Sequence, residues 1–209
     1  MKTRESGMPE EVMWQGFFDP ATILARLGLT SACRNAVDFG CGYGTFTIPA
    51  ARVVLGTVFA LDIEAEMVEA TRCKAEDAGL QNVDLRQRDF VAEGSGLAAG
   101  TADYAMLFNI LHAEEKFALL REAWRVLKAE GKLGVIHWNY DAGTPRGPSM
   151  EIRPRPEQCR SWAEQVGFDV LPPGLVDLPP HHYGFVFRRP RAGGPGREVG
   201  VLPRTGGAQ

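Results

Sequence analysis

The stretch Val37-Asp38-Phe39-Gly40-Cys41-Gly42-Tyr43-Gly44-Thr45 limits what this chain can become more than any other. A short apolar run meets three glycines at alternate positions, and a helix-like segment follows with no linker between. Glycine has no Cβ and accepts φ > 0, so the main chain can turn sharply there and let a ligand lie against it. About twenty residues on, Thr57-Val58-Phe59-Ala60-Leu61-Asp62 reads as a second strand that ends in an acid. Strand, glycine turn, helix and second strand make a βαβ unit. Its terminal carboxylate falls where the ribose of an adenosine-containing ligand would lie.

The alternation continues along the chain, the pattern of a parallel sheet covered on both faces. Trp14 to Leu27 reads as helical, with Asp19 as an N-cap and Pro20 at the first helical position. Ala36 to Phe39 and Val58 to Leu61 are strands, and Phe46 to Val54 is a helix that must accept Pro49 in its first turns. Ala65 to Ala78 is amphipathic, with Met67, Val68, Thr71 and Ala75 on one side and Gly79 ending it. Val83 to Arg88 is a more polar strand, expected at a sheet edge. Ala102 to Ile110 is a buried strand, Glu114 to Leu127 a helix closed by the Glu130-Gly131 turn, and Lys132 to Trp138 the fifth strand. Pro156 to Val166 is a helix closed by Gly167. Two β segments follow, Phe168 to Leu178 and Tyr183 to Arg188, joined by Pro179-Pro180-His181-His182. So short a connection demands antiparallel pairing, because a parallel return needs a crossover of a dozen residues or more.

Bulk properties exclude several classes. Charge is near balance, 23 Lys and Arg against 26 Asp and Glu, which argues against a broad electrostatic grip on nucleic acid and leaves a local basic groove open. No apolar run approaches the ~20 residues needed to span a bilayer. The opening Met1-Lys2-Thr3-Arg4-Glu5-Ser6 leads into no hydrophobic signal core, so a cytoplasmic location is expected. Cys33, Cys41, Cys73 and Cys159 are scattered and form no C-x-x-C pair; they read as free thiols in a reducing compartment, with no metal site. Residues 1–30 read as an N-terminal helical cap. From Pro190 onward Gly, Pro and Arg dominate, so 190–209 reads as a disordered tail.

These residues resemble the class I S-adenosylmethionine-dependent methyltransferases, over roughly Ala36 to Arg189. The family's glycine loop is Asp38 to Gly44, its ribose-binding acid falls on Asp62 followed by Ile63 and Met67, and its adenine-side acid falls on Asp89 next to Phe90. Asp103 to His112 looks like the family's fourth strand and following turn. Arg125-Val126-Leu127-Lys128 with Gly131-Lys132-Leu133 looks like the approach to the fifth. The resemblance implies an α/β, Rossmann-like, mostly parallel seven-stranded sheet with helices on both faces and an antiparallel C-terminal hairpin. It also implies S-adenosyl-L-methionine as cofactor, bound by a methyltransferase domain over 31–189, and transfer of a methyl group to a small-molecule acceptor.

Each site residue has a competing reading. In dinucleotide dehydrogenases a third glycine supports close helix packing, and here Thr45 holds that place, so a ligand without phosphates suits Gly40, Gly42 and Gly44 better. Asp38 can accept from the ammonium side of a methionine moiety. Asp62 can accept from both ribose hydroxyls or cap the helix near Glu64, and Glu64 is itself an alternative for that contact. Asp89 stands between Arg86, Arg88 and Phe90, where an ion pair competes with an adenine contact; Phe90 or Ile63 can face the base or belong to the core. Asn109 lies at the carboxyl end of the fourth strand, the edge where open α/β sheets hold ligands. His112 is a base or a helix start. His137 and Tyr140, in the His137-Trp138-Asn139-Tyr140-Asp141 cluster, can orient an acceptor and take its proton, or sit at a loop entrance. Trp14, Phe17 and Phe18 close over a pocket or pack a helix. Two other functions stay open: a nicotinamide-dependent oxidoreductase on a similar sheet, and a non-catalytic domain that binds the cofactor. A nucleic-acid methyltransferase is disfavoured, since Asn109-Ile110-Leu111-His112 stands where such enzymes carry an Asn-Pro-Pro-Tyr-type motif.

Overall fold

The computed structural model describes residues 10–191. Two short helices, α1 (Glu11–Gln15) and α2 (Pro20–Arg26), precede β1 (Ala36–Phe39). Then come α3 (Thr47–Val53), β2 (Val58–Asp62), α4 (Ala65–Asp77), β3 (Val83–Gln87), β4 (Ala102–Phe108), α5 (Lys116–Val126) and β5 (Leu127–Trp138). The chain finishes with α6 (Pro156–Val166), β6 (Asp169–Val170), β7 (Val176–Leu178) and β8 (His182–Arg188). Most of the expected disordered tail lies outside the described residues, as do the first nine residues of the expected cap.

The single helix expected over Trp14 to Leu27 is divided in two. Asp19 takes φ −106° and ψ 89°, and its side chain accepts from the Thr22 amide at 3.2 Å, with Pro20 starting α2. An N-cap lies outside helical φ/ψ, so the preceding helix has to stop before it.

One sheet runs in the order β3-β2-β1-β4-β5-β8-β6, with β7 also on β8. The first five strands are parallel, and β8 returns antiparallel along β5 from Trp138↔His182 to Lys132↔Arg188. β3 forms one edge, as its polar composition predicts. At the other edge, β6 and β7 occupy successive stretches of β8, at Val170↔Phe187 and Val176↔Gly184. The strand expected over Phe168 to Leu178 is therefore interrupted, since Pro172 and Pro173 carry no N–H to donate and a turn closes from Gly174 N to Leu171 O. β5 begins earlier than expected. Leu127 already pairs with Ala102, and Glu130 at φ 66° absorbs the register slip that sequence presents as a turn.

Period-two alternation sends side chains to two cores. Val37, Phe39, Ala105, Leu107, Leu133, Val135, Phe185 and Phe187 pack under α5 and α6. Ala36, Tyr104, Met106, Phe108, Ile136 and Val186 pack against α2 and α3. Tyr104 is fully buried and donates to the Leu27 carbonyl at 2.9 Å, across Gly134, where a Cβ would come within 2.2 Å of the phenol oxygen. From β1 the chain builds outward to β2 and β3, then crosses back to β4 on the other flank. That reversal opens a crevice beyond the carboxyl ends of β1 and β4.

Candidate cofactor and acceptor site

The glycine loop lies at that crevice. Gly40, Gly42 and Gly44 have φ of 84°, 52° and 76°, values that a side chain would resist. The Gly40 and Cys41 amides both donate to the Leu61 carbonyl, at 2.8 and 2.9 Å, which lashes the loop to the end of β2. Asp62 completes the tie. It is 4% exposed; Oδ2 accepts from the Gly42 amide at 2.9 Å and Oδ1 from the Glu64 amide at 3.1 Å. The two readings of Asp62, ligand acid and helix-start acceptor, thus coexist geometrically, because each carboxylate oxygen retains capacity for another donor. Burial raises its pKa, and the two amides oppose that rise.

Asp38 lies below the loop, 3% exposed, accepting from the Thr47 hydroxyl at 2.6 Å; burial pushes its carboxyl up to about 7. Thr71 donates to the Gly42 carbonyl at 2.8 Å, and Lys74 to the Tyr43 carbonyl at 2.6 Å. Sequence reading passed over Thr47, Thr71 and Lys74 as site residues. For Thr71 a signal existed, a hydroxyl within an apolar helix stripe that must find an acceptor. For Lys74 none did, since its partner is distant in sequence. A cavity of about 530 Å³ opens between the loop, α3 and α4, lined by Tyr43, Thr45, Ile48, Arg52, Lys74 and Asp77 among others.

On the second acidic strand end, Arg86 binds Asp84 through two hydrogen bonds, and Arg88 binds the carbonyls of Glu93 and Gly94. Asp89 Oδ1 accepts from the Ala92 amide at 3.0 Å. Phe90 and Ile63 are half-buried, and Phe90 meets Phe39 edge-on with ring centroids 5.5 Å apart.

Across the crevice, Asn109 follows β4 at φ 58°, held by a hydrogen bond from its amide to the Ile136 carbonyl at 2.8 Å. Neither its side-chain oxygen nor its nitrogen has a partner among the described residues, although both are buried. A residue in strained backbone with an orphaned side-chain amide, at the same sheet edge as the glycine loop, fits a group bearing both donors and acceptors. An amino-acid moiety next to an adenosyl group is such a group.

The histidines converge on this edge. His112 and His137 rings meet edge to face, 5.5 Å apart, and Tyr183 lies 6.3 Å behind His137. His182 and His181 pack on Trp138 at 4.2 and 6.2 Å. Burial pushes His112 down to about 4, against a main-chain hydrogen bond with Asn109, and holds His137, fully buried, well below its usual value. Both imidazoles are therefore neutral at physiological pH. Tyr140 is half-buried with the Arg155 guanidinium 3.8 Å above its ring. The loop that carries it is pinned by Arg153, which donates to the Asn139, Asp141, Arg146 and Pro148 carbonyls and to the Thr144 hydroxyl. Phe17 packs on Trp138 at 5.2 Å, and Phe18 on His182 and Phe46 at 4.5 and 5.2 Å.

Known proteins agree with this geometry. The methyltransferase-domain family matches residues 36–131, from the first strand through the start of the fifth. Aklanonic acid methyltransferase DauC of Streptomyces sp. (strain C5) is 29% identical over 153 residues, which cover 63% of this chain and 69% of the relative. Nocamycin O-methyltransferase of Saccharothrix syringae is 30% identical over 108 residues, covering 48% of this chain and 36% of the relative. Among solved structures, a SAM dependent methyltransferase from Aquifex aeolicus superposes with a TM-score of 0.75 over 86% of this chain and 94% of that one, at 24% identity. The [4+2]-cyclase SpnF superposes at 0.69 over 82% and 79%, with 19% identity. Fold, glycine loop and family match all support a class I S-adenosylmethionine-dependent methyltransferase. S-adenosyl-L-methionine is its cofactor. The nicotinamide and non-catalytic alternatives are not favoured.

Proposed function

We propose that the chain methylates a small organic molecule at an oxygen atom, and that residues 31–189 do this beneath an N-terminal helical cap, of which 10–30 are described. The orphaned amide of Asn109 opposite the Asp62-tied glycine loop carries the reading, since it marks a polar ligand held across the crevice of a methyltransferase fold. The relatives support the acceptor class: one is named for an acid and one as an O-methyltransferase. When bound, the cofactor supplies a methyl group already activated by its sulfonium. The protein then has to hold, align and exclude water.

In this reading Asp62 accepts from the ribose, Asn109 meets the methionine end, and Gly40, Gly42 and Gly44 let the ligand lie on bare main chain. Asp38 supports the loop from below through Thr47. Ile63 and Phe90 flank the base, with Asp89 beside them. His112, neutral and at the rim, accepts a proton from the acceptor hydroxyl at a ring nitrogen; Nδ1 has no partner among the described residues. His137 is sealed behind it and acts through it, while Tyr140 orients the acceptor. The acceptor is neither nucleic acid nor membrane-bound in this reading. Free thiols at all four cysteines support a cytoplasmic, reducing location.

Two measurements test it. S-adenosylhomocysteine at ~100 times its Kd should raise the melting temperature by a few degrees, as about 2.7 kcal/mol of binding energy requires, and NAD should not. Purified protein with cofactor should then convert a metabolite in cell extract to a product one methylene heavier by mass spectrometry. A protein that binds the thioether and yields no such product from any extract or acceptor panel would refute the enzymatic reading.

A further inference from the structure

Lys74, on α4, serves two partners at once. Its ammonium donates to the Tyr43 carbonyl at 2.6 Å, inside the glycine loop, and lies 5.4 Å from the Tyr43 ring centroid. The same nitrogen pairs with the Glu11 carboxylate on α1. The cavity of about 530 Å³ opens beside the loop, with Lys74 and Tyr43 in its wall. One turn beyond Glu11, Trp14 packs on Phe18 at 4.9 Å and on Phe17 at 6.5 Å. Phe17 in turn lies on Trp138 and His181, and Phe18 on His182 and Phe46. A continuous set of contacts thus runs from the glycine loop through Lys74 and α1 to the aromatic side chains at the ends of β5 and β8.

We propose that Lys74 is a positioning residue that couples cofactor binding to closure of segment 11–18 over the acceptor edge. Filling the glycine loop fixes the Tyr43 carbonyl, which orients the Lys74 ammonium and so holds Glu11 and the aromatic segment behind it. The consequence is an order of events, cofactor first and acceptor second, with the acceptor enclosed only on a loaded enzyme. The Lys74 and Glu11 side chains are 30% and 35% exposed, so the pair is screened by water and biases the segment by a factor of about 5, without locking it. By reciprocity, whatever closure gains from cofactor, cofactor gains from closure.

This inference rests on the methyltransferase reading, and amide hydrogen exchange with S-adenosylhomocysteine as the probe separates the two. In the wild-type chain, saturating thioether should slow exchange both over 40–44 and over 11–18. In Lys74→Met, which keeps the aliphatic stem, protection over 40–44 should persist while protection over 11–18 is lost, and thioether affinity by calorimetry should fall about 5-fold. Glu11→Gln breaks the pair from the other side, leaves the Tyr43 bond in place and should reproduce the loss over 11–18; it serves if Lys74→Met does not fold. The double variant should be no weaker than either single one. Thioether binding with equal protection of 11–18 in wild type and both variants would overturn the coupling while leaving the methyltransferase reading intact. Absence of any thioether binding to the wild type would overturn that reading instead.

Discussion

The two ends of one sheet treat buried polar groups in opposite ways. At the amino ends of β1 and β4, Asp103 accepts from the Arg34 and Asn35 amides at 3.0 and 2.8 Å and from Lys128 at 2.7 Å. Asn35 is occupied there through both side-chain atoms, accepting from the Thr57 amide and donating to the Thr101 carbonyl, each at 3.1 Å. At the carboxyl ends, the Asn109 side-chain amide, Nδ1 of His112 and both nitrogens of His137 and His182 are buried without a partner among the described residues. An unpaired buried polar group costs about 1–3 kcal/mol, so several at one edge and none of the named ones at the other is a division of labour. The closed end builds the scaffold, and the open end leaves hydrogen-bonding capacity unused among the described residues.

The sharpest way to break this contrast is Asp62→Asn. It removes charge from the proposed ribose contact and leaves one of the Gly42 and Glu64 amides facing an NH2 group, and should weaken S-adenosylhomocysteine binding about 10- to 100-fold by calorimetry, with a stability cost of about 1–3 kcal/mol. Unaltered affinity would move Asp62 to the scaffold side. Asp103→Ala is the mirror experiment: it should cost about 1–3 kcal/mol in urea denaturation by stranding two amides, yet leave thioether affinity untouched.

The open end should also show in acid. Below pH 6.5 the unfolded chain protonates His112, His137 and His182 while the folded chain does not, since burial pushes His112 down to about 4, His182 down to about 3 and His137 well below its usual value. Stability from these three is full above 6.5 and lost as pH falls. Asp38 works the other way: burial raises it to about 7, so the folded carboxyl keeps a proton that the unfolded one releases above 3.8, and its contribution fades as pH rises toward neutrality. Between pH 6.5 and 5.5 each of the three imidazoles removes about 1 kcal/mol and Asp38 returns about 1, a net loss of about 2 kcal/mol. His182→Phe should roughly halve that slope in denaturation at the two pH values; an unchanged slope would count against a neutral buried His182. The smallest effect belongs to Thr71→Val, which keeps shape, removes the bond to the Gly42 carbonyl and should lower thioether affinity about 3- to 5-fold. Equal affinity would show that α4 does not brace the loop.

What sequence disclosed follows the same divide. The glycine loop, Asp62 and the strand–helix alternation were legible because each is local: glycine spacing, a strand-end acid and apolar periodicity act over a few residues. The division of the first helix at Asp19 was half visible, since the cap and Pro20 were recognised but not their power to end what precedes them. Interruption of the final edge strand by Pro172 and Pro173 was missed because an apolar run read as continuous. Lys74, Arg153 and the burial of all but the rim of the histidine group depend on contacts between distant segments, which no short pattern records. Arg86 and Arg88 illustrate the limit: their bonds to Asp84 and to the Gly94 carbonyl were not foreseen from their adjacency to Asp89.

The margins of the sheet carry one more implication. One outermost strand bears the paired Asp84 and Arg86, and the opposite one is two fragments separated by a proline-containing turn. Among the described residues neither offers a long, clean row of unpaired amides to a neighbouring copy, which disfavours strand-to-strand polymerisation.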